Sequence, residues 1–452
     1  MTDIDAVLEG KQMRAFLRRL TVLSAAGMFL DGFDLTVIAV ALPFLVKQWH
    51  IGVGLTGLTA ASAVIGMLIG SLVLGYLTDR LGRRAMYLFD LVFFVLFAVL
   101  TALSQNVWQL LIFRFLLGVG IGADYPISST LLSEFSPRKN RGRLLAVLSV
   151  IWFVGSMAAY LTGIALSPLG PDAWRWMLVI GAVIALIVIL FRASIPESPR
   201  WLVSQGRDDE AAQVLLHLSG QSADLTDQAH SPRQWIQLFS KSLWKSTVFV
   251  CGFWFAFDVA YYGITIYSPT ILKPFINGSQ TGADVGSALI SLAGVVGAVI
   301  GVLVVDRWGR RPLILLGFTG LTVVLVTLSV LHDPVFSLLV ILFSAAVLFG
   351  TFAGMLDFIY ATELFPTGLR AGASGLGTAV SRVGAILSIV VFPSLVTAWG
   401  LQHALWLFAG AGLFGLIISF VMAPETKGRS LEDITTAIPI ERVAERLAPV
   451  ES

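Results

Sequence analysis

The chain has 452 residues, of which 56% are hydrophobic and only 13% charged, with a formal net charge of +2 and a mean hydropathy of +0.85. Soluble domains carry about 25% charged residues, so this composition excludes a soluble globular protein, and the lack of any basic run excludes nucleic acid as a partner. A single cysteine, Cys251, excludes an internal disulfide, and the five histidines stand at no metal-ligand spacing, so neither metal nor cofactor is expected.

About 20 apolar residues cross a bilayer as a helix, and twelve stretches of that length follow one another. Residues 1–19 are polar, with no apolar run and no small-residue cleavage site; they are expected to lie in the cytoplasm, with the first span itself directing insertion. Span 1 (20–46) carries Asp31 and Asp34, three residues apart and therefore on one helical face. Two carboxylates held that close in a poorly solvating medium resist ionising together, so one of them is expected to bind and release a proton. Span 2 (56–77) ends in Asp79-Arg80-Leu81-Gly82-Arg83-Arg84, a turn too short for anything but a tight reversal, where Gly82 can take positive φ. Span 3 (86–104) carries Asp90 near its start. Span 4 (108–132) reads Arg114-x-x-x-Gly118-x-Gly120-x-Gly122-Ala-Asp124-Tyr125-Pro126; its glycines permit close helix approach, and Arg114 can neutralise a neighbouring aspartate. Glu134 and Arg141 flank the next loop, span 5 (144–166) brings Trp152, and span 6 (174–192) ends at Arg192. Asp90 and Arg192 are read as snorkelling side chains rather than functional ones.

A polar linker over 193–245 follows, with an amphipathic helix expected near 208–218. Span 7 (246–272) places Trp254, Asp258, Tyr261 and Tyr262 on an aromatic and acidic face. Span 8 (284–305) runs into Asp306-Arg307-Trp308-Gly309-Arg310-Arg311, and spans 9 (312–331) and 10 (335–361) follow, the latter carrying Asp357. Glu363 and Arg370 flank the loop before span 11 (370–398), whose midpoint holds Ser381-Arg382-Val383-Gly384. A midplane guanidinium suits a carboxylate or phosphate through paired N–H donors, and an ionisable group at that depth is a functional hypothesis by default. Span 12 (402–423) leads to a polar tail over 424–452 that begins Pro424-Glu425.

The chain is written twice. DRLGRR at 79–84 recurs as DRWGRR at 306–311, Glu134-x-x-Pro137-x-x-x-Arg141 recurs as Glu363-x-x-Pro366-x-x-x-Arg370, and Pro196-Glu197 recurs as Pro424-Glu425. The offsets are 227, 229 and 228 residues. Two six-helix bundles, 20–192 and 246–423, are therefore expected as parallel repeats with a binding site between them. The same offset takes Asp31 to Asp258, so each half offers a carboxylate at equivalent depth. The arginines of the short loops fall in alternate loops, on one side of the membrane, so those loops and both termini are expected to be cytoplasmic by the positive-inside rule.

The string Gly75-x-x-x-Asp79-Arg80-x-Gly82-Arg83-Arg84 resembles the signature of the major facilitator superfamily, and the resemblance runs over residues 20–434. Pro196-Glu197-Ser198-Pro199-Arg200-Trp201-Leu202 and Pro424-Glu425-Thr426-Lys427-Gly428 are similar to the sugar-porter-type branch. The resemblance implies an all-α fold of twelve transmembrane helices, with no enzymatic activity, moving a small molecule by alternating access. It also implies a cytoplasmic gate of ion pairs that holds the outward-open state, formed by Asp79, Arg80, Arg83, Arg84, Glu134, Arg141, Glu197, Asp306, Arg307, Arg310, Arg311, Glu363, Arg370 and Glu425.

Sugar porters carry Gln-Gln on helix 7 and Gly-Pro-x-x-Trp on helix 10, whereas here those stretches read FWFAFDVAYYG and TFAGMLDFIYATE. Gly122-Ala-Asp124-Tyr125-Pro126 and the Trp254-to-Gly263 stretch resemble proton-coupled phosphate symporters, without their helix-5 Gln and with Arg382 where they have Lys. Asp31-Gly32-Phe33-Asp34 looks like the D-G-x-D motif of aromatic acid:proton symporters. The reading that follows is proton-coupled symport of a small organic anion, a carboxylate or aromatic acid, with inorganic phosphate, a sugar, or proton-driven export as alternatives. Asp31, Asp34, Asp258, Asp124 and Arg114 are assigned to proton coupling, and Arg382, Tyr125, Trp152, Trp254, Tyr261, Tyr262 and Asp357 to the substrate. The expected partners are that solute, protons and membrane lipid, and the expected state is a monomer in the plasma (inner) membrane.

Overall fold

The computed structural model describes residues 11–136, 141–220, 235–332, 334–366 and 369–428. The described residues form helices and no strands, as a lipid-embedded chain requires, because only intrahelical bonds can satisfy every backbone donor and acceptor without water. The first six spans are α1 (Lys11–Trp49), α2 (Val53–Leu81), α3 (Arg83–Ala102), α4 (Val107–Phe135), α5 (Arg141–Leu166) and α6 (Ala173–Arg192). Two short helices, α7 (Pro199–Ser204) and α8 (Asp208–Ser219), follow in the connecting segment. The remaining spans are α9 (Trp244–Leu272), α10 (Gln280–Trp308), α11 (Arg310–Val330), the broken pair α12 (Phe336–Gly354) and α13 (Leu356–Glu363), α14 (Arg370–Trp399) and α15 (Leu401–Met422). Twelve of these are long and apolar enough to cross a membrane when α12 and α13 count as one, so the chain is a multi-pass integral membrane protein.

Two boundaries differ from the sequence reading. α1 begins at Lys11 rather than near residue 20, because its first turns are amphipathic: Met13, Leu17 and Leu20 are buried while Arg14, Arg18 and Arg19 face out. Phe16 meets Phe135 edge-on at 5.0 Å, tying the extension to the end of α4. The tenth span, expected unbroken, is interrupted at Met355. Gly354 weakens the helix there, and an added Cβ would stand 2.5 Å from the Phe257 ring, so only glycine lets α9 press this close.

Equivalent helices make equivalent contacts. α1 packs on α5 as α9 packs on α14, and α3 packs on α6 as α11 packs on α15. Between the first and last six spans the broad contacts are α2 with α14 and α5 with α10, a pair of interfaces that exchange under the same repeat. Close approach follows small residues, for a Cβ on Gly66 would stand 1.9 Å from the Phe115 carbonyl oxygen of α4.

Two of the prolines inside helices free a carbonyl that a neighbouring helix then satisfies, since proline has no N–H to donate four residues back. Pro269 in α9 leaves the Thr265 carbonyl, which accepts from the Tyr160 hydroxyl of α5 at 2.8 Å and from Ser268 at 2.9 Å. Pro393 in α14 leaves the Ile389 carbonyl, which accepts from Tyr267 of α9 at 3.0 Å. Backbone polarity lost to each bend is thus recovered by a tyrosine from a neighbouring helix.

Candidate functional site

Five helices converge at their midpoints on one cavity. Its walls are Tyr125 from α4, Ser149, Trp152 and Phe153 from α5, Trp254, Phe257, Asp258, Tyr261 and Tyr262 from α9, Gly354 at the helix break with Asp357 and Phe358 beyond it, and Arg382 from α14. Its volume is about 40 Å³, room for only a few water molecules. The site is therefore closed around its centre, and side chains must move to admit a solute.

Arg382 is 2% exposed and dominates the electrostatics. One terminal nitrogen donates to the Tyr262 hydroxyl at 2.6 Å and lies 3.5 Å from Asp258 Oδ2. Its guanidinium carbon stands 5.1 Å from the Tyr125 ring centre and 5.3 Å from that of Tyr262, within cation–π range of both. Its Nε, Asp258 Oδ2 and Asp357 Oδ1 have no hydrogen-bond partner, and neither has the indole N–H of Trp152. Buried polar atoms are normally paired, so unspent donors and acceptors around one small cavity mark a place built to take polar groups from a guest. Aromatic faces complete it: Tyr125 stacks on Phe358 at 5.6 Å, and Trp152 meets Tyr261 and Tyr262 edge-on at 6.1 and 6.5 Å.

The structure places every residue proposed for the substrate on this cavity, and Asp258 with them. The other proton-coupling candidates lie elsewhere in the first six spans. Asp34 pairs with Arg114 at 3.6 Å. Asp31 lies in a separate small pocket with Asp90 and Asp124. Asp31, Asp34 and Asp258 therefore belong to three separate clusters rather than one. Asp90 and Arg192 do not snorkel: both are buried, and Arg192 holds Asp124 through two bonds of 2.9 and 3.1 Å while also donating to Asp90 at 3.1 Å. Tyr87 covers the guanidinium at 3.7 Å. Their positions near helix ends suggested an exit to water, but the long α1 and the ring of Tyr87 close that route.

Five lining residues were missed by sequence reasoning: Ser149, Phe153, Phe257, Gly354 and Phe358. Ser149 precedes Trp152 by three, Gly354 precedes Asp357 by three and Phe257 precedes Tyr261 by four, so i±3 and i±4 extension of those candidates would have reached these three; Phe153 and Phe358 carried no such signal.

The family profile for "Sugar (and other) transporter" matches residues 20–438. This transporter belongs to that family. Among its relatives, the inner membrane metabolite transport protein YgcS of Escherichia coli is 33% identical, with 93% of this chain and 94% of that protein covered. The arabinose-proton symporter of Bacillus subtilis is 30% identical over 93% and 94% of the two chains. The structure of the proton:xylose symporter XylE, a major facilitator protein, bound to 6-bromo-6-deoxy-D-glucose superposes with a TM-score of 0.79 at 23% identity, covering 94% of this chain and 99% of the other. The fold is thus that of the major facilitator superfamily in its sugar-porter branch, and the protein is a transporter rather than an enzyme.

On the arginine-rich face of the transporter, the duplicated turns work through backbone as well as side chains. Gly82 has φ 102° and Gly309 φ 100°, a conformation that L side chains rarely adopt. Each turn delivers the free amides of a helix N-terminus to a carboxylate. Glu197 accepts from the amides of Arg83 and Arg84 at 2.9 and 3.2 Å, and Glu425 accepts from those of Arg310 and Arg311 at 3.1 Å each. The exposed helix dipole and unsatisfied N–H groups favour an anion there. Side chains add Arg310 to Glu363 at 3.0 Å and to Asp306 at 3.1 Å, with Thr426 also donating to Glu363 at 2.5 Å. Arg370 donates to the Phe365 carbonyl at 3.0 Å. The side chains of Asp79, Glu134 and Arg141 lie outside the described residues. A Cβ on Gly142, at the start of α5, would stand 2.4 Å from an Arg310 nitrogen and 2.9 Å from Asp306, so the first and last six spans meet closely on this face. On the opposite face a vestibule of about 660 Å³ opens between α1, α2, α9 and α14.

Proposed function

We propose that this transporter is a proton-coupled symporter of a small organic anion, a carboxylate that docks on Arg382. The observation that carries the reading is the buried guanidinium between Asp258 and Asp357 with a donor unspent. One guanidinium and two carboxyls are neutral when one carboxyl holds a proton. A monoanion entering that cluster leaves it charged unless a second proton arrives, and an uncompensated buried charge costs several kcal/mol. Protonation of Asp258 would release Arg382 to the solute, so anion and proton bind together and leave together. The aromatic walls suit an aromatic or short aliphatic acid body.

Asp34 with Arg114, and Asp31 with Asp124, are the proposed proton-handling groups of the first six spans. The arginine-rich face is taken as cytoplasmic, with both termini on that side and the protein in the inner membrane, from the distribution of arginines. In that orientation the vestibule faces outward, the approach of Gly142 to Arg310 and Asp306 closes the inner side, and the Glu197, Glu363 and Glu425 contacts brace each half beside it. The two bundles, 20–192 and 246–423, would rock about the cavity.

A second reading, a sugar or related polyol as solute, is favoured by the family and by the arabinose-proton symporter among the relatives, and the unpaired carboxylate oxygens could accept hydroxyl groups. Quenching of Trp152 and Trp254 fluorescence by benzoate-type acids, short carboxylates, phosphate and hexoses separates them. Saturable quenching by acids alone, lost in Arg382→Ala, supports the anion; quenching by hexoses that survives Arg382→Ala supports the sugar.

A further inference from the structure

We propose that the lipid-facing groove between α1 and α6, at the arginine-rich end of the molecule, binds an anionic phospholipid. The groove has a volume of about 630 Å³ and is lined by Val22, Leu23 and Ala26 of α1 and Ile187, Val188 and Phe191 of α6, with Arg18 and Arg19 at its mouth. Its apolar length runs along the hydrocarbon layer, where Val22, Ile187 and Phe191 are exposed. At 39 residues α1 is about 58 Å long, well beyond the ~30 Å hydrocarbon core, which sets its basic first turns in the headgroup layer.

Three guanidiniums gather there around the end of α6. Arg19 donates to the Ser194 hydroxyl, Arg84 donates to the Ala193 carbonyl at 3.3 Å, and Arg18 makes no ion pair among the described residues. Three carboxylates in this part of the fold are already engaged: Glu197 is held by backbone amides of α3, while Asp90 and Asp124 are buried against Arg192. A positive mouth above an apolar channel is complementary to a phosphate headgroup carrying an acyl chain, and to a zwitterionic lipid much less. The repeat supplies an internal contrast. Adding 227 to Arg18 and Arg19 gives Lys245 and Ser246, one cation in place of two, and near that end the Ile418 side chain is 2.3 Å from where a Cβ on Gly252 would stand.

The occupant would pin α1 to α6 at the end where the halves meet, independently of which solute is carried. The test uses the full-length transporter in nanodiscs of phosphatidylcholine with a minor fraction of either phosphatidylglycerol or phosphatidylethanolamine, released into native mass spectrometry. We expect retained phosphatidylglycerol in the parent and about a thirtyfold weaker retention in Arg18→Gln/Arg19→Gln, which is ~2 kcal/mol, the loss of two cations near an anionic surface. Ala26→Phe, which fills the groove and keeps both arginines, should lower retention too, and Lys245→Gln should leave it unchanged. Equal retention of phosphatidylethanolamine, or phosphatidylglycerol binding that survives both groove variants, would overturn the site.

Discussion

Among single residues, Arg382 carries the most. Replacing it with alanine leaves Asp258 and Asp357 buried without a cation, which should cost about 3–5 kcal/mol of stability and show as a lower unfolding temperature in detergent. A second substitution, Asp258→Leu beside Arg382→Met, removes both charges together and should recover most of that loss while leaving transport absent. If the double variant is as unstable as the single one, the pair is not the source of the cost. Arg382→Lys keeps the charge but not the planar fork, so solute affinity should fall by at least tenfold with stability largely kept. The sequence exposed these residues because an ionisable group in a span is conspicuous. It could not pair them: Asp31 and Asp34 share a face by spacing, yet they reach different partners, since a few tens of degrees around α1 separate the Arg114 side from the Asp90, Asp124 and Arg192 side.

Elements carry the conformational switch. Gly82→Ala would place a Cβ 2.4 Å from the Glu197 carboxylate at a φ of 102°, so we expect about 1–3 kcal/mol of destabilisation, with Gly309→Ala similar because Glu425 occupies the same place. Thermal unfolding of both variants measures this, and an unchanged transition for either would contradict the anchoring of the glutamates on helix N-termini. Tyr160→Phe removes one bond to the carbonyl that Pro269 frees, leaving Ser268 as its partner. A net loss of about 0.5–1.5 kcal/mol should shift the population toward states in which α5 and α9 separate at the vestibule end by up to about tenfold, readable as a longer distance between spin labels on those ends. The helices themselves were legible from hydropathy alone. Their exceptions were not: the break at Met355 needs the ring of Phe257, and the early start of α1 needs Phe135 and the buried row at Met13, Leu17 and Leu20.

For the whole molecule, the duplicated motifs gave the pseudo-twofold plan in advance, because an offset near 228 constrains topology without any knowledge of contacts. What lay beyond reach was the state: the meeting of Gly142 with Arg310 on one face and the vestibule on the other arise from long-range packing. That arrangement suits a transporter caught closed on its arginine-rich side, with a central site too small for its cargo. The proposal of anion and proton symport makes the charge of the Arg382, Asp258 and Asp357 cluster the coupling element. The most direct test is uptake of a labelled carboxylate panel into proteoliposomes, with and without an imposed inward proton gradient, for the parent, Asp258→Asn and Arg382→Ala. We predict acid uptake that the gradient accelerates in the parent, loses its gradient dependence in Asp258→Asn, and vanishes in Arg382→Ala. Hexose uptake that ignores all three changes, with no acid transported, would contradict it.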